Sequence, residues 1–255
     1  MRADLYLVTN GFYESRARAQ AAIKAGLVKV DGKRLKKASE KLSDLNEISA
    51  KAEHPWVSRG GLKLAYALKE FGVSPEGKTC LDVGASTGGF TDVLLQNGAA
   101  HVYAVDVGHG QLHAKLQGRD DVTSMENTDA RNLRADMFSP VPTVIVCDAS
   151  FISLTKVLSA ALSIPPAGAQ LIALIKPQFE VGKGQVGKGG IVRDEKLREA
   201  VKEQFVEYAK SLALEVLGLI DSPVLGKKGN KEILIGLQKR EIGEGELQCR
   251  AVVES

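Results

Sequence analysis

The stretch Leu81-Asp82-Val83-Gly84-Ala85-Ser86-Thr87-Gly88-Gly89-Phe90-Thr91 decides the fold of this 255-residue chain. An apolar segment passes into a loop of small residues, and an amphipathic segment, Phe90 to Leu95, follows. This order predicts a strand, a tight turn and a helix, in which glycine lets the backbone approach a ligand closely. The loop departs from the dinucleotide fingerprint G-x-G-x-x-G, because Ser86 stands where the second glycine belongs. A pyrophosphate requires that glycine, whereas a nucleoside without phosphates does not.

A second apolar segment, Val102 to Val105, ends at Asp106. In a doubly wound fold, a carboxylate at this position can hold ribose hydroxyls. Asp82, the small-residue loop and Asp106 together resemble the cofactor site of the S-adenosylmethionine-dependent methyltransferases. The resemblance implies that the cofactor contacts are Asp82, Gly84, Ala85, Ser86, Thr87, Gly88, Gly89, Phe90, Asp106, Val107, Asp129 and Asp148. A doubly wound domain with an unrelated ligand, or with none, is the alternative.

Composition favours a cytoplasmic protein without a membrane partner. Hydrophobic residues make up 44% of the chain, yet no apolar run approaches the length of a membrane span. The start, Met1-Arg2-Ala3-Asp4, lacks the apolar stretch of a signal peptide. Among the three cysteines, Cys80 and Cys147 lie within apolar segments, and their spacing does not suit a metal site. We therefore expect buried thiols of a reducing compartment.

The charge of the chain is unevenly distributed. The net charge is only +3, but residues 1 to 51 carry +5 and the remainder carries −2. All the positive excess therefore lies in the first fifth of the chain. This asymmetry indicates a module that binds a polyanion, with a solvated lysine-rich face as the alternative.

The basic segment has clear start, stop and turn signals. Ser15 can cap a helix that runs from Arg16 to Lys24 and is stopped by Gly26. Arg16, Gln20 and Lys24 recur every four residues and therefore line one side of that helix. Short strand-like runs follow on either side of Asp31-Gly32, a dipeptide that strongly favours a hairpin turn.

This order of elements resembles the S-four domain, a small α+β RNA-binding fold named for a ribosomal protein. The matching residues include Arg2, Leu5, Leu7, Ser15-Arg16, Ala19-Gln20, Ile23-Lys24, Gly26, Val28, Val30 and Asp31-Gly32. The resemblance implies contacts to structured RNA, mainly through phosphates and shape. The expected RNA-binding residues are Arg2, Arg16, Arg18, Gln20, Lys24, Lys33, Arg34, Lys36, Lys37 and Arg59.

Downstream, apolar segments of strand length alternate with helical patterns. The expected strands are Cys80 to Val83, Val102 to Val105, Val144 to Cys147, Gln170 to Ile175, Leu214 to Ile220 and Ile233 to Leu237. Helical spacing occupies Leu62 to Phe71, Leu154 to Leu162 and Glu195 to Leu212. This alternation predicts an α/β fold with a doubly wound, Rossmann-like, mostly parallel sheet. Its ligand should lie beyond the carboxyl ends of the strands.

These patterns divide the chain into four parts. An S-four-type RNA-binding domain is expected at 1–51, and a linker at 52–60. A methyltransferase domain is expected at 61–245, and a polar tail at 246–255.

Two motifs resemble known ligand sites but lack the sequence context that those sites require. The segment from Gly72 to Thr79 fits the phosphate-loop pattern G-x-x-x-x-G-K-[ST], but that loop requires a strand before it and a helix after it. Here a helical pattern precedes it and a strand follows, so we interpret it as a connection. His109 and His113 lie four residues apart without the glutamate of a zinc-protease motif, and we expect no metal site. The glycine-rich segment 181–190 suits either a mobile lid that holds RNA phosphates with Lys183 and Lys188, or a flexible surface loop.

Four ionisable residues are candidates for the chemistry. Lys63 follows Ser58-Arg59-Gly60-Gly61, Asp148 follows the expected strand Val144 to Cys147, Lys176 follows Gln170 to Ile175, and Glu232 follows Gly229-Asn230-Lys231. Lysine, aspartate, lysine and glutamate in this order resemble the catalytic tetrad of the FtsJ-type ribose 2'-O-methyltransferases. The resemblance places Lys176 closest to the acceptor hydroxyl, held by Asp148 and Glu232, with Lys63 positioning the substrate. Taken singly, each residue could equally be a surface charge or a satisfied strand-end acid.

With the basic segment included, nearly the whole chain resembles the haemolysin/TlyA-type ribosomal RNA methyltransferases. Members of that family methylate the 2'-oxygen of cytidines in ribosomal RNA, and some have a haemolysin label. The resemblance implies S-adenosylmethionine as cofactor and ribosomal RNA or ribosomal subunits as partners; a monomer is compatible with the sequence, which does not fix the oligomeric state. The alternatives are a haemolysin-like membrane-active protein and a ribosome-assembly factor that binds RNA without catalysis.

Overall fold

The computed structural model describes residues 1–51, 54–182, 184–226 and 229–240. Expectations that concern Lys183 and the tail at 246–255 lie outside these residues. The chain forms two compact units, a small unit, Met1–Pro55, and a large unit, Trp56–Ser255. The boundary between the two units falls within the stretch expected to be a linker, 52–60.

The small unit contains two helices and three short strands, and its basic helix begins at the predicted Arg16 and extends one residue beyond the predicted Lys24. The elements are α1 (Ala3–Thr9), α2 (Arg16–Ala25), β1 (Val28–Val30), β2 (Lys33–Arg34) and β3 (Ile48–Ala50). The side chain of Ser15 accepts a hydrogen bond from the amide of Arg18, which caps α2. Gly26 ends the helix in the left-handed conformation, with φ of 77°.

The small sheet has the strand order β2-β1-β3, and both pairs are antiparallel. Asp31 and Gly32 join β1 to β2 with φ of 49° and 74°, as a tight hairpin turn requires. Apolar side chains of the helices and strands pack into one core that includes Leu7, Ile23 and Val28. The predicted α+β module is therefore present.

The large unit is an α/β domain. Its helices are α3 (Gly61–Phe71), α4 (Gly89–Gln96), α5 (Leu154–Ser163), α6 (Pro177–Glu180) and α7 (Glu195–Ser211). Its strands are β4 (Thr79–Val83), β5 (His101–Val105), β6 (Val122–Met125), β7 (Val144–Cys147), β8 (Gln170–Ile175), β9 (Leu214–Asp221) and β10 (Ile233–Lys239).

These strands form a sheet in the order β6-β5-β4-β7-β8-β10-β9. All the pairs up to β8 are parallel, and β10 runs antiparallel to both of its neighbours. The strand order reverses direction between β4 and β7, and a doubly wound sheet binds its ligand at such a switch point. The predicted fold class is confirmed.

Helices cover both faces of this sheet, because its central strands are apolar on both sides. On one face, α5 and α7 pack through residues such as Leu158 and Phe205. On the other face, α3 and α4 pack through residues such as Leu64 and Leu94. The strand ends are thereby held in fixed positions relative to the start of α3 and the start of α4.

The sequence correctly predicts one connection of the large unit but does not predict one of its strands. Gly72 ends α3 and Thr79 begins β4, so the segment that resembles a phosphate loop is the predicted helix-to-strand connection. Strand β6 was not among the expected strands. It lies at the edge of the sheet and contains Thr123 and Ser124, both exposed, so it lacks the apolar run by which the other strands were found.

Candidate active site

A cavity of about 670 Å³ opens at the carboxyl ends of β4, β7 and β8. This volume lies in the range of small-molecule sites, which is about 300–1,000 Å³. Seven of the expected cofactor contacts line it: Gly84, Ala85, Ser86, Thr87, Gly89, Phe90 and Asp148. All four expected catalytic residues line it as well: Lys63, Asp148, Lys176 and Glu232. The loop between β4 and α4 and the four expected catalytic residues therefore line the same cavity.

The loop between β4 and α4 is tightly packed beneath this cavity. Gly84 has φ of 81°, and a Cβ atom there would lie 3.1 Å from the backbone oxygen of Asp148. A Cβ atom on Gly89 would collide with the hydroxyl of Ser58. The backbone conformation at Gly84 therefore requires glycine, and the lack of a Cβ at Gly89 leaves room for the Ser58 side chain, so the loop backbone lies close to the wall of the cavity.

Asp106, at the end of β5, holds the same loop. Its two carboxylate oxygens accept hydrogen bonds from the amides of Ser86 and Gly108, each at 2.7 Å. Because each carboxylate oxygen has a second lone pair, both can accept a further hydrogen bond. The neighbouring Val107 is 70% exposed. In the structure, Asp106 and Val107 lie beside the loop rather than on the cavity wall.

Three further expected cofactor contacts do not line the cavity: Asp82, Gly88 and Asp129. Asp129 forms an ion pair with Arg131 at 2.5 Å, and the guanidinium lowers the pKa of Asp129 to about 2. A Cβ atom on Gly88 would collide with Leu116, so this glycine permits close packing of the loop.

Asp82 is completely buried below the loop. Its Oδ2 accepts a hydrogen bond from the hydroxyl of Thr91 at 2.6 Å. Its Oδ1 has no hydrogen-bond partner among the described residues. Burial raises the pKa of Asp82 to about 7, an effect that the hydrogen bond from Thr91 opposes and the nearby Asp148 reinforces.

The first ion pair of the site joins α3 to the start of β10. Lys63 Nζ donates a hydrogen bond to Glu232 Oε2 at 2.5 Å, and both residues are buried. The structure here corrects the expectation that Glu232 holds Lys176, because its carboxylate pairs with Lys63 instead. The lack of a Cβ at Gly226 leaves room for the carboxylate of Glu232, which such an atom would displace.

The second ion pair joins β8 to β7. Lys176 Nζ lies 2.5 Å from Asp148 Oδ1, and it donates hydrogen bonds to Asp148 O at 3.2 Å and to Ser150 Oγ at 2.6 Å. Lys176 is only 7% exposed. Its amine is therefore held from one side by Asp148 and Ser150.

Sequence reasoning missed several residues of the cavity wall. Ser150 and Phe151 lie just after the expected Asp148, and Phe179 lies three residues after Lys176. Phe151 is 86% exposed and has φ of 66°, an unfavourable conformation for a bulky residue. Its ring centroid lies 5.2 Å from that of Phe179. The signal for Phe151 was its position after a strand end, which alone says nothing about exposure.

Asn230 is a further missed residue of the wall. It is 3% exposed, its Nδ2 donates to Gly190 O at 2.9 Å, and its Oδ1 accepts from the amide of Val192 at 3.1 Å. Val186 and Gly190 also line the cavity. The carboxyl end of the glycine-rich segment is therefore tied to the residues that precede β10.

The expected RNA-binding residues are distributed over both units. Arg59 lines the cavity, and its Nη2 donates to Leu225 O at 3.4 Å. In the small unit, Gln20, Lys24, Arg34 and Lys36 line a surface groove of about 470 Å³. Arg34 lies over Gly26 and donates to Lys24 O at 3.1 Å, at the end of α2.

Other basic residues of the small unit have polar contacts or lie exposed on a strand. Arg18 forms an ion pair with Glu14 at 3.0 Å. Lys33 is an exposed residue of β2. The backbone amides of Lys36 and Lys37 both donate to the carboxylate of Glu40.

Cys80 and Cys147 are buried, and His109 and His113 each contact a neighbouring residue. Burial raises the pKa of Cys80 and of Cys147 to about 12, so both thiols stay protonated at neutral pH. His109 Nδ1 lies 2.7 Å from Glu126 Oε2, and His113 Nδ1 accepts from the amide of Lys115. Within the ranges that the structure describes, no three His, Cys, Asp or Glu side chains are grouped so that they could hold a metal ion.

Known proteins resemble both units. A family model for FtsJ-like methyltransferases matches residues 56–239, and a model for the S4 domain matches residues 1–48. Hemolysin A of Brachyspira hyodysenteriae is 43% identical over 235 residues, which cover 92% of this chain and 98% of that protein. The 16S/23S rRNA (cytidine-2'-O)-methyltransferase TlyA of Mycobacterium tuberculosis is 43% identical over 239 residues, covering 93% and 89%. A solved structure of a candidate hemolysin from Streptococcus thermophilus has a TM-score of 0.74, with 44% identity and coverage of 94% and 89%.

Fold, cavity and family models together define an S-adenosylmethionine-dependent methyltransferase of the RNA 2'-O type. The chain belongs to the FtsJ-like methyltransferases, and within them to the TlyA/haemolysin family that carries an S4 domain at its start. The class of enzyme and the cofactor expected from the sequence are thereby confirmed.

The residues present suit S-adenosylmethionine. The glycine loop brings backbone amides to the cavity wall, and the loop has no second glycine of a pyrophosphate site. Asp106 retains lone pairs at the position where a doubly wound fold holds ribose hydroxyls. The apolar ring of Phe90 lies on the wall of the cavity.

Proposed function

We propose that this protein transfers the methyl group of S-adenosylmethionine to the 2'-oxygen of a cytidine in ribosomal RNA. The relative from Mycobacterium tuberculosis is named for this activity and matches nearly the full length of the chain. Ribosomal RNA or a ribosomal subunit is then the partner, and the cytoplasm is the place of action.

One observation carries the proposal: two lysine–carboxylate pairs, whose lysines are both buried, lie in the same cavity as the glycine loop. Lys63 pairs with Glu232 and Lys176 pairs with Asp148, each at 2.5 Å. A buried ion pair is weak evidence for stability, because desolvation opposes the attraction between the charges. Two such pairs facing one cavity are better explained by chemistry that needs them. They also argue against a factor that binds RNA without catalysis.

The chemistry requires a group that takes a proton from a poor nucleophile. When bound, S-adenosylmethionine would supply a methyl group on a positively charged sulfur, whose bond to that methyl carbon breaks on transfer and leaves a neutral thioether. Lys176 Nζ accepts the proton of the 2'-hydroxyl as the oxygen forms its new bond, and later releases that proton to solvent. Asp148 and Ser150 hold the amine of Lys176 in one position. Alignment of the acceptor contributes a large part of the rate.

Lys176 can act as a base only when its amine is neutral. The pairing of Glu232 with Lys63 leaves Lys176 with one carboxylate instead of two.

Phe151 supports a nucleotide substrate. Its exposed ring lies at the cavity with Phe179 beside it. Exposed aromatic rings near a reaction centre suit stacking on a nucleobase, because every base has a π-face. The strained backbone of Phe151 is of the kind that proteins retain at functional sites.

The small unit supports RNA as the partner. Its groove of about 470 Å³ is lined by Lys24, Arg34 and Lys36. Lysine and arginine side chains along a groove are suited to phosphate contacts, which position a protein on RNA without reading the sequence. The S4 match over residues 1–48 covers this surface.

A haemolysin-like activity finds no support in the described residues. Across residues 1–51, 54–182, 184–226 and 229–240, no helix is long and apolar enough to cross a membrane. The hemolysin names belong to relatives of this chain.

The experiment that tests the proposal is a map of 2'-O-methyl groups on ribosomal RNA from cells with and without this protein. We expect one or a few cytidines to lose the modification when the protein is absent. Restoring the gene should restore the modification, whereas a variant with Lys176→Ala should not. Identical maps in the two strains would contradict the proposal.

A further inference from the structure

A buried carboxylate lies beneath the basic surface of the small unit. Asp4 has no exposed surface, although it is near the start of α1. Its Oδ1 accepts from Arg2 Nε at 3.0 Å, and its Oδ2 accepts from Arg16 Nη2 at 2.9 Å and from Gln20 Nε2 at 2.7 Å. Arg2 Nη2 adds a second contact at 3.2 Å. Three of the expected RNA-binding residues therefore converge on one carboxylate.

Arg2 and Arg16 donate hydrogen bonds to Asp4, yet their side chains remain exposed to solvent. The side chains of Arg2 and Arg16 are 51% and 55% exposed, while that of Asp4 is fully buried. A guanidinium has five N–H donors, so both arginines keep donors that can reach a ligand at the surface. Gln20 also lines the basic groove, which connects the cluster to Lys24 and Arg34.

We propose that Asp4 is a positioning residue for RNA binding: it fixes the guanidinium groups of Arg2 and Arg16 in the orientation that receives RNA phosphates. The inference rests on the proposed function, because it assumes that these two arginines contact RNA. The proposal gives an acidic residue a favourable role in RNA binding. From its negative charge alone, Asp4 would be expected to weaken that binding.

Asp4 acts through the order of the arginine side chains rather than through net charge. An arginine side chain is flexible, and its planar fork binds phosphate well only when it is oriented. Asp4 holds two such forks before the RNA arrives, which lowers the ordering cost of binding. The hydrogen bonds from Arg2, Gln20 and Arg16 keep the pKa of Asp4 well below its usual range, so the carboxylate is ionised under all working conditions.

The decisive variant is Asp4→Asn, because the two explanations predict opposite signs. If only charge matters, removing a negative charge should strengthen binding to any polyanion. If Asp4 positions the arginines, affinity for ribosomal subunits should fall by about tenfold or more, while affinity for heparin should be unchanged or higher. Glu47→Gln makes the same charge change at an exposed side chain of the same unit and serves as the control.

The measurement uses the full chain and separate small and large ribosomal subunits purified from a strain that lacks the protein. Subunit binding by Asp4→Asn that equals or exceeds that of Glu47→Gln would overturn the inference. A double-mutant cycle adds a readout that a structural role would not move. Arg16→Gln should weaken binding strongly in the wild-type background and only slightly in the Asp4→Asn background.

A second variant covers the case in which Asp4→Asn disturbs folding of the small unit, which circular dichroism would reveal. Arg16→Lys keeps the charge but lacks the planar fork. The inference predicts that Arg16→Lys binds subunits about as weakly as Arg16→Gln. Binding of Arg16→Lys at the wild-type level would overturn it.

RNA contact by the arginines and positioning by Asp4 can be tested separately. If Arg2→Gln combined with Arg16→Gln leaves subunit binding unchanged, these arginines do not contact RNA and that part of the proposed function is wrong. If this pair of changes weakens binding but Asp4→Asn and Arg16→Lys do not, only the positioning role of Asp4 is wrong.

Discussion

Lys63 and Glu232 are 169 positions apart in the chain, yet Lys63 Nζ lies 2.5 Å from Glu232 Oε2 in the interior of the large unit. The pair joins α3, which precedes the sheet, to β10, at its antiparallel end. Neither residue is more than 9% exposed. An ion pair at this depth fixes both side chains relative to Lys176 and Asp148, which line the same cavity.

Breaking this pair from one side should be costly. Glu232→Gln leaves the Lys63 ammonium buried without its carboxylate, and we expect a loss of about 3–5 kcal/mol in the free energy of unfolding. Chemical denaturation measures this loss. The double variant Lys63→Met with Glu232→Leu should recover most of the stability but remain inactive. Recovery of methyl transfer in the double variant would show that the pair is structural only.

Asp106 should matter for cofactor affinity. Removing a charged acceptor of ribose hydroxyls should cost about 1.5–3 kcal/mol, which is a factor of about 10–150 in the dissociation constant of S-adenosylmethionine. Calorimetry on the Asp106→Ala variant measures this change in the dissociation constant. Asp136→Ala, at an exposed ion pair with Arg134, is the control and should bind normally. Unchanged affinity in Asp106→Ala would mean that the ribose contact is misassigned.

The buried Asp82 should make stability depend on pH. Burial raises its pKa from 3.8 to about 7 in the folded state. The folded protein therefore holds a proton that the unfolded chain releases, and the contribution to stability is complete below about pH 4 and is lost as pH rises to about 7.

Denaturant unfolding of wild type and Asp82→Asn between pH 4 and 7 checks this expectation. The stability of the wild type relative to the variant should decrease as pH rises, with a slope of at most about 1.4 kcal/mol per pH unit. A difference that stays constant over this window would show that the pKa of Asp82 is not raised.

The basic groove should determine the salt dependence of RNA binding. Neutralising Lys24, Arg34 and Lys36, which line the groove, removes up to three positive charges that face phosphates. The slope of log affinity against log salt should therefore become shallower, by up to about 0.9 for each phosphate that is no longer neutralised. Neutralising Lys196, Lys202 and Lys210 on α7 makes the same charge change in the large unit. If the substitutions in the groove and those on α7 change the slope equally, RNA is attracted by the overall charge of the protein rather than by this groove.

Local patterns predicted the elements of this protein well. Ser15 and Gly26 delimit α2 because caps are local signals, and the apolar strands β4, β7 and β8 are found by composition alone. The edge strand β6 was missed because an exposed strand needs no apolar run.

Pairings across the chain were harder to predict. The sequence placed Lys63, Asp148, Lys176 and Glu232 in one site, but it did not show which carboxylate accompanies which lysine, because that depends on how α3 packs on the sheet. The convergence of Arg2, Arg16 and Gln20 on Asp4 was likewise hidden, since it depends on how α1 packs on α2.

The most direct test of ribose methylation by this protein is transfer of labelled methyl groups from S-adenosylmethionine to ribosomal subunits that lack this modification. Digestion of the RNA to nucleosides should place the label in 2'-O-methylcytidine. Lys176→Ala should lower turnover by about 10²–10⁴-fold while leaving cofactor affinity nearly unchanged. Lys176→Arg should also fail, because a guanidinium does not release its proton near neutral pH. Label on a base, no transfer to either subunit, or more than about a hundredth of the wild-type rate in Lys176→Ala would contradict the proposed mechanism.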